Sequence, residues 1–99
     1  MENTIQFTRI KNDVNGNPRY VCHFLALMTR EELDRNGGDW IPTGDKYKIA
    51  VKRANSIGGR KYHTKSYGGG IVFQSYSLAQ EVEDINRVTG REYTGFTLD

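Results

Sequence analysis

The sequence predicts an α+β domain: a four-stranded antiparallel sheet in the order ββαββα, with two helices packed on one face. Three observations carry this expectation. Two pairs of strand-like runs are joined at turn signals, one over residues 12–18 and one near Gly68-Gly69. Two stretches, 45–57 and 77–89, repeat their apolar residues at helical spacing. Glycines follow both stretches, at Gly58-Gly59 and Gly90, where a left-handed residue commonly ends a helix.

Each element has its own reason. Residues 4–11 alternate through Ile5 and Phe7 and then slip parity at Ile10, which predicts an outer strand with a bulge. Asn12 to Pro18 is dense in residues that tolerate tight turns. Residues 19–27 are apolar on both faces and rich in strand formers, the pattern of a central strand in a hairpin with the first. Thr29-Arg30-Glu31-Glu32 has the form of a capping box and predicts one or two helical turns, stopped by Gly37-Gly38. Asp39 to Gly44, with Trp40 and Pro42, reads as a loop.

Residues 45–57 fit two patterns. As a strand they align Tyr47, Ile49 and Val51; as a helix they gather Tyr47, Ala50, Val51, Ala54 and Ile57 on one side. The helix also accounts for both alanines and for the glycine pair that follows, so it is preferred, with Ile49 left on the outer face. Residues 60–67 and 70–76 read as strands. Ser77 opens the last helix, with Gln80 at the capping-box position and Leu78, Val82, Ile85 and Val88 as its apolar stripe. Residues 90–99 read as a tail that Tyr93 and Phe96 could pin down.

Composition bounds the class. The 99 residues make one domain, 1–99; 36% are hydrophobic and 26% charged, which allows one thin core. No apolar run is long enough to span a membrane, and the amino terminus is polar and unlike a secretory signal. Cys22 is the sole cysteine, so no internal disulfide can form. The expectation is a cytoplasmic protein.

The net charge is only +2, but it is unevenly spread. Residues 46–65 contain Lys46, Lys48, Lys52, Arg53, Arg60, Lys61 and Lys65, with no acid among them. The last segment instead carries Glu81, Glu83, Asp84, Glu92 and Asp99 against Arg87 and Arg91. The basic stretch is the strongest functional signal. Lysines and arginines attract phosphate backbones by releasing condensed counterions. Tyr62, His63 and Tyr67 interleave with them, and flat rings beside cations suit stacking on single-stranded bases. The candidate interface is therefore Lys48, Lys52, Arg53, Arg60, Lys61, Tyr62, Lys65 and Tyr67. The competing reading is a solvated polar face with tyrosines packed in a sheet. No zinc-ligand pair, aromatic RNA-binding block or phosphate-clamping GXXG loop supports a specific nucleic-acid motif.

Catalytic and metal readings find little. Gly68-Gly69-Gly70 lacks the lysine and helix start of a phosphate-binding loop, and a tight turn explains it. Cys22 and His23 are adjacent on a strand, so their side chains should point to opposite faces. With His63 they make a poor zinc set, and His63-Thr64 has no second half of a two-histidine phosphoesterase site. No enzyme activity, cofactor or metal is expected. Trp40 and exposed Ile49 are candidates for protein contact.

The stretches Lys11 to Tyr20, Gly58 to Tyr62 and Gly69 to Tyr76 resemble small accessory proteins encoded by bacteriophages and mobile elements, over most of the chain. That resemblance carries no catalytic residues. It implies residence in the host cytoplasm and an accessory role exerted by contact. Two readings follow: a binder of nucleic acid or of a nucleoprotein complex, or an inhibitor or adaptor docking on an acidic host protein, as an anti-CRISPR does. A small hydrolase is a distant third. Edge strands of such a sheet also leave homodimer pairing open.

Overall fold

Strand β1 (Thr4–Ile10) buries Ile5 and Phe7 on one face and leaves Gln6 exposed on the other, while Arg9, on the face of Phe7, reaches the solvent over the Tyr20 ring. It pairs antiparallel with β2 (Arg19–His23), from Phe7 opposite Cys22 to Ile10 opposite Arg19. The register runs unbroken, so the bulge expected at Ile10 is not formed. Asp13 shapes the intervening turn. Its carboxylate accepts the Asn15 and Asn17 amides at 2.9 and 2.8 Å, while Gly16 takes the left-handed conformation at φ 82°. The computed structural model describes residues 3–35, 44–62, 70–74 and 77–99.

The second strand is shorter than its apolar run predicts. The His23 side chain accepts the Leu25 amide through Nδ1 at 3.2 Å and starts a 3₁₀ turn over Phe24–Leu27. Side chains three apart overlay in such a turn, so Phe24 and Leu27 both reach the core. Helix α1 (Arg30–Arg35) follows, capped as its sequence predicts. Thr29 Oγ1 accepts the Glu32 amide at 3.1 Å, and Glu32 Oε1 accepts the Thr29 amide at 2.8 Å.

Residues 45–57 resolve as helix: α2 spans Gly44–Ser56 and buries Ala50 and Ala54 against the sheet. It ends with Gly58 at φ 91° and the Gly59 amide donating to the Ala54 carbonyl at 2.7 Å. Gly59 sits tightly. A Cβ there would lie 2.6 Å from the Phe73 ring and 2.9 Å from Ile71. Strands β3 (Arg60–Tyr62) and β4 (Gly70–Phe73) pair antiparallel. Helix α3 (Leu78–Thr89) starts at Ser77, whose Oγ accepts the Gln80 amide at 3.2 Å, and ends at Gly90 with φ 70°. Its buried residues include Leu78, Val82 and Ile85.

The sheet itself departs from expectation. It has five strands in the order β3-β4-β2-β1-β5 and is mixed rather than antiparallel. The fifth strand, β5 (Gly95–Leu98), lies in the segment expected to be a tail and runs parallel to β1. Asn86 steers it there: its side chain accepts the Tyr93 amide and donates to the Tyr93 carbonyl, both at 2.9 Å. The Thr94 and Asp99 amides then donate to the Asn3 and Phe7 carbonyls at 2.8 and 2.9 Å. Helix α3 thus carries the chain from β4 across the helix face to the far edge of the sheet.

Both long helices pack on one face, as predicted. A single cluster joins Phe7, Cys22, Phe24, Leu27, Ala50, Ala54, Phe73 and Ile85. Each large side chain buried there contributes about 1.5–3 kcal/mol of hydrophobic stabilisation before entropy is charged against it. Helix α2 lies over β3 and α3 over β5. The sequence's charge asymmetry thereby becomes a spatial one. No helix among the described residues is long and apolar enough to cross a membrane.

Candidate partner interface

The burial of Ala50 and Ala54 fixes the orientation of α2 and so determines which residues face water. Lys48, Ile49 and Lys52 are exposed, with Ile49 at 38%. The two lysines are four residues apart and stand on one helix face. Arg53 is different. Its Nη1 donates to Glu32 Oε1 at 2.5 Å and to the Leu27 carbonyl at 2.9 Å, and its Nη2 donates to Glu32 Oε2 at 2.9 Å. This guanidinium clamps α2 to the start of α1, so Arg53 is committed within the fold and stands apart from the exposed lysines. Its hydrogen bonds hold the Glu32 carboxyl down at about 2. The partner comes from α1, not from the acidic last helix.

The register of β3 divides the next three candidates between the two faces of the sheet. Lys61 lies opposite Ile71, a core residue, and so stands at the sheet edge on the helix side. Arg60 lies opposite Val72 and Tyr62 opposite Gly70, which places both on the face away from the helices. Arg60 and Lys61 are exposed and Tyr62 half-buried. Lys48, Lys52 and Lys61 therefore occupy the helix side, whereas Arg60 and Tyr62 wrap around the edge. Among the described residues the ion pairs are Arg53–Glu32 and Arg87–Asp84, and neither involves these lysines or Arg60. Lys65, Tyr67, Trp40 and His63 lie outside the described residues.

The model of the family described as Staphylococcus phage terminal repeat-encoded protein TreK matches residues 1–93. The chain belongs to this family. No curated protein and no solved structure matches it. The family span covers β1 to β4, all three helices and every candidate contact residue, and it agrees with the resemblance to small phage-encoded proteins.

Elsewhere in this TreK-family chain, Cys22 and His23 are the last two residues of β2. Cys22 and His23 face opposite sides of the sheet; burial pushes the Cys22 thiol up to about 12 and the His23 imidazole below its ordinary value. Among the described residues no group of three or more His, Cys, Asp or Glu side chains could hold a metal ion. Tyr93 pins the segment after α3, as its sequence suggests, and Arg91, which the sequence does not single out, joins it. They line a 340 Å³ concavity with Thr4, Gln6, His23 and Leu33. Arg91 lies over the Tyr93 ring at 4.4 Å, and its Nη1 donates to the Leu25 and Met28 carbonyls at 3.0 and 3.2 Å. The Tyr93 hydroxyl donates to the Ala26 carbonyl at 3.3 Å. These bonds brace the 3₁₀ turn against the segment leading to β5. The acceptors themselves leave no mark in the sequence, because they are backbone carbonyls more than sixty residues away.

Proposed function

We propose that this phage protein is a non-enzymatic accessory factor whose α2–β3 ridge contacts nucleic acid or a nucleoprotein complex. One observation carries the reading. Lys48, Lys52, Arg60 and Lys61 are exposed on two elements that pack together, with no carboxylate partner among the described residues. Such cations gain from displacing counterions on a phosphate backbone, whereas Arg53, already paired, gains nothing. Tyr62 stands at the same edge and supplies a ring for stacking. A gel shift on mixed single-stranded RNA and DNA at low salt tests this. A retarded band at roughly 10 μM protein is expected, weakening steeply as salt rises; an unshifted probe at that concentration refutes free nucleic-acid binding.

A second reading is favoured by Ile49. An exposed β-branched residue between Lys48 and Lys52 suits docking on an acidic host protein better than contact with phosphates, and charge would then govern association rate and partner choice. Inhibition of host defence is one such role. A host protein captured from nuclease-treated lysate, and lost with Ile49→Asp, supports this reading. A capture abolished by nuclease returns the argument to nucleic acid.

A further inference from the structure

We infer that β5 is a self-pairing edge: two copies of this chain join antiparallel through Gly95–Leu98, with Thr97 on the two-fold axis. The inference is independent of the α2–β3 ridge and concerns the opposite edge of the sheet. Backbone direction comes first. The Asp99 amide donates to the Phe7 carbonyl in β1. Bonding direction alternates along a strand, so Thr97 also faces β1, while the N–H and C=O groups of Phe96 and Leu98 point away from the sheet. A second copy centred on Thr97 sets Phe96 opposite Leu98 of that copy, and Leu98 opposite its Phe96. All four residues then present outward groups, and each pair exchanges both hydrogen bonds. A one-residue slip would match outward groups with inward ones and leave them unmet.

The side chains agree with this register. Phe96 and Leu98 are 39% and 55% exposed, and they share the helix face with their β1 partners Ile5 and Phe7. The Phe96 ring meets Phe7 edge-on at 6.2 Å, which holds it in place before any partner arrives. Pairing would close both residues and their symmetry copies into one apolar cluster. The other edge is built to prevent this. Strand β3 is three residues long and carries Arg60 and Lys61, whereas β5 contains no charge and no proline. Glu83 on α3 lines the cleft beside Phe96 and would approach its own copy, so repulsion limits the affinity at low salt. An interface this small falls below the roughly 1,600 Å² of standard complexes, so the dissociation constant is expected at about 10–100 μM.

The register makes a specific test. In a non-hydrogen-bonded antiparallel pair the Cα atoms lie about 4.5 Å apart, within the range a disulfide spans. Thr97→Cys should therefore link into a covalent dimer in oxidised glutathione at ~0.3 M salt, where screening shortens the reach of Glu83 to roughly 6 Å. Val14→Cys, on a fully exposed turn, is the collision control, and the buried Cys22 stays out of the reaction. Thr97→Cys is expected to link at least about tenfold faster than Val14→Cys, given the proximity that pairing supplies. The wild-type weight-average mass should also climb above 11.3 kDa as concentration rises. Leu98→Pro removes an outward amide, and Leu98→Lys guards the edge without altering the backbone; each should abolish that climb. Equal linking rates, or a wild-type mass of 11.3 kDa at ~500 μM, well above the expected dissociation constant, would overturn the inference. So would faster linking of Lys61→Cys, which would place the contact at β3.

Discussion

Arg53 and Glu32 meet at two points across the α1–α2 packing, Nη1 to Oε1 at 2.5 Å and Nη2 to Oε2 at 2.9 Å. The same carboxylate accepts the Thr29 amide, and the same guanidinium reaches the Leu27 carbonyl. One ion pair therefore joins a helix cap, a 3₁₀ turn and α2. Because both groups are mostly buried, screening by water is limited, and the forked geometry is the stronger kind of charged contact.

Replacing Glu32 by Gln is expected to cost about 1–2 kcal/mol at neutral pH. The folded carboxyl titrates near 2 against an ordinary value of 4.5, so its contribution is full above 4.5 and lost as pH falls towards 2. Urea unfolding of both proteins across that window should show their stabilities converging. A constant gap down to the lower limit contradicts the assignment.

Gly59→Ala should destabilise the domain by about 1–3 kcal/mol, because the new methyl overlaps Phe73 and Ile71, which are themselves fully packed. Gly58→Ala tests a different cost, that of placing a side chain at φ 91°, and is expected at roughly 1 kcal/mol. Shrinking the neighbour separates the two. Phe73→Leu should recover part of the Gly59→Ala loss and none of the Gly58→Ala loss, measured as a double-mutant cycle.

Helix caps and stops are the most legible part of the sequence. The Thr29–Glu32 box, the Ser77 cap, the Gly58 and Gly90 stops and the buried stripe of α3 all depend on contacts within a few residues. The helix at 44–56 was legible because alanines at 50 and 54 demand close packing. Two departures have different causes. The fifth strand pairs with the other end of the chain, and two apolar residues, Phe96 and Leu98, are too few to announce it. The run 19–27 reads as strand because its apolar residues suit either state; His23 alone turns it into the core. For the interface, the basic stretch was visible but its division was not. Pairing of Arg53 with α1 and the parity that separates Arg60 from Lys61 are tertiary facts.

Burial pushes the Tyr93 phenol up to about 12, against an ordinary 10.0. A raised folded value means the neutral ring is preferred in the native state, so its contribution is full below pH 10 and lost between 10 and 12. Tyrosinate absorbance should show a step in that interval. Tyr93→Phe should remove that step and cost about 0.5–1 kcal/mol for the hydroxyl bond to Ala26. An absorbance titration of Tyr93→Phe with the same late step as the wild type would contradict it.

The α2–β3 ridge makes a prediction that separates binding from folding. Lys48→Gln, Lys52→Gln and Lys61→Gln each alter an exposed side chain and should shift stability by no more than ~0.5 kcal/mol. Arg53→Gln should do the reverse, lowering stability through the lost Glu32 contact while changing nucleic-acid affinity little.

The most direct measurement is the salt dependence of single-strand binding, followed by fluorescence anisotropy, for the wild type and the triple variant Lys48→Gln, Lys52→Gln, Lys61→Gln. Each lysine that neutralises a phosphate adds about 0.7 to the magnitude of the log–log slope on single strands, so the triple variant should bind more weakly with a slope shallower by about 2. A wild type that fails to bind at low salt, or a triple variant of unchanged affinity and slope, would contradict the ridge as the contact surface.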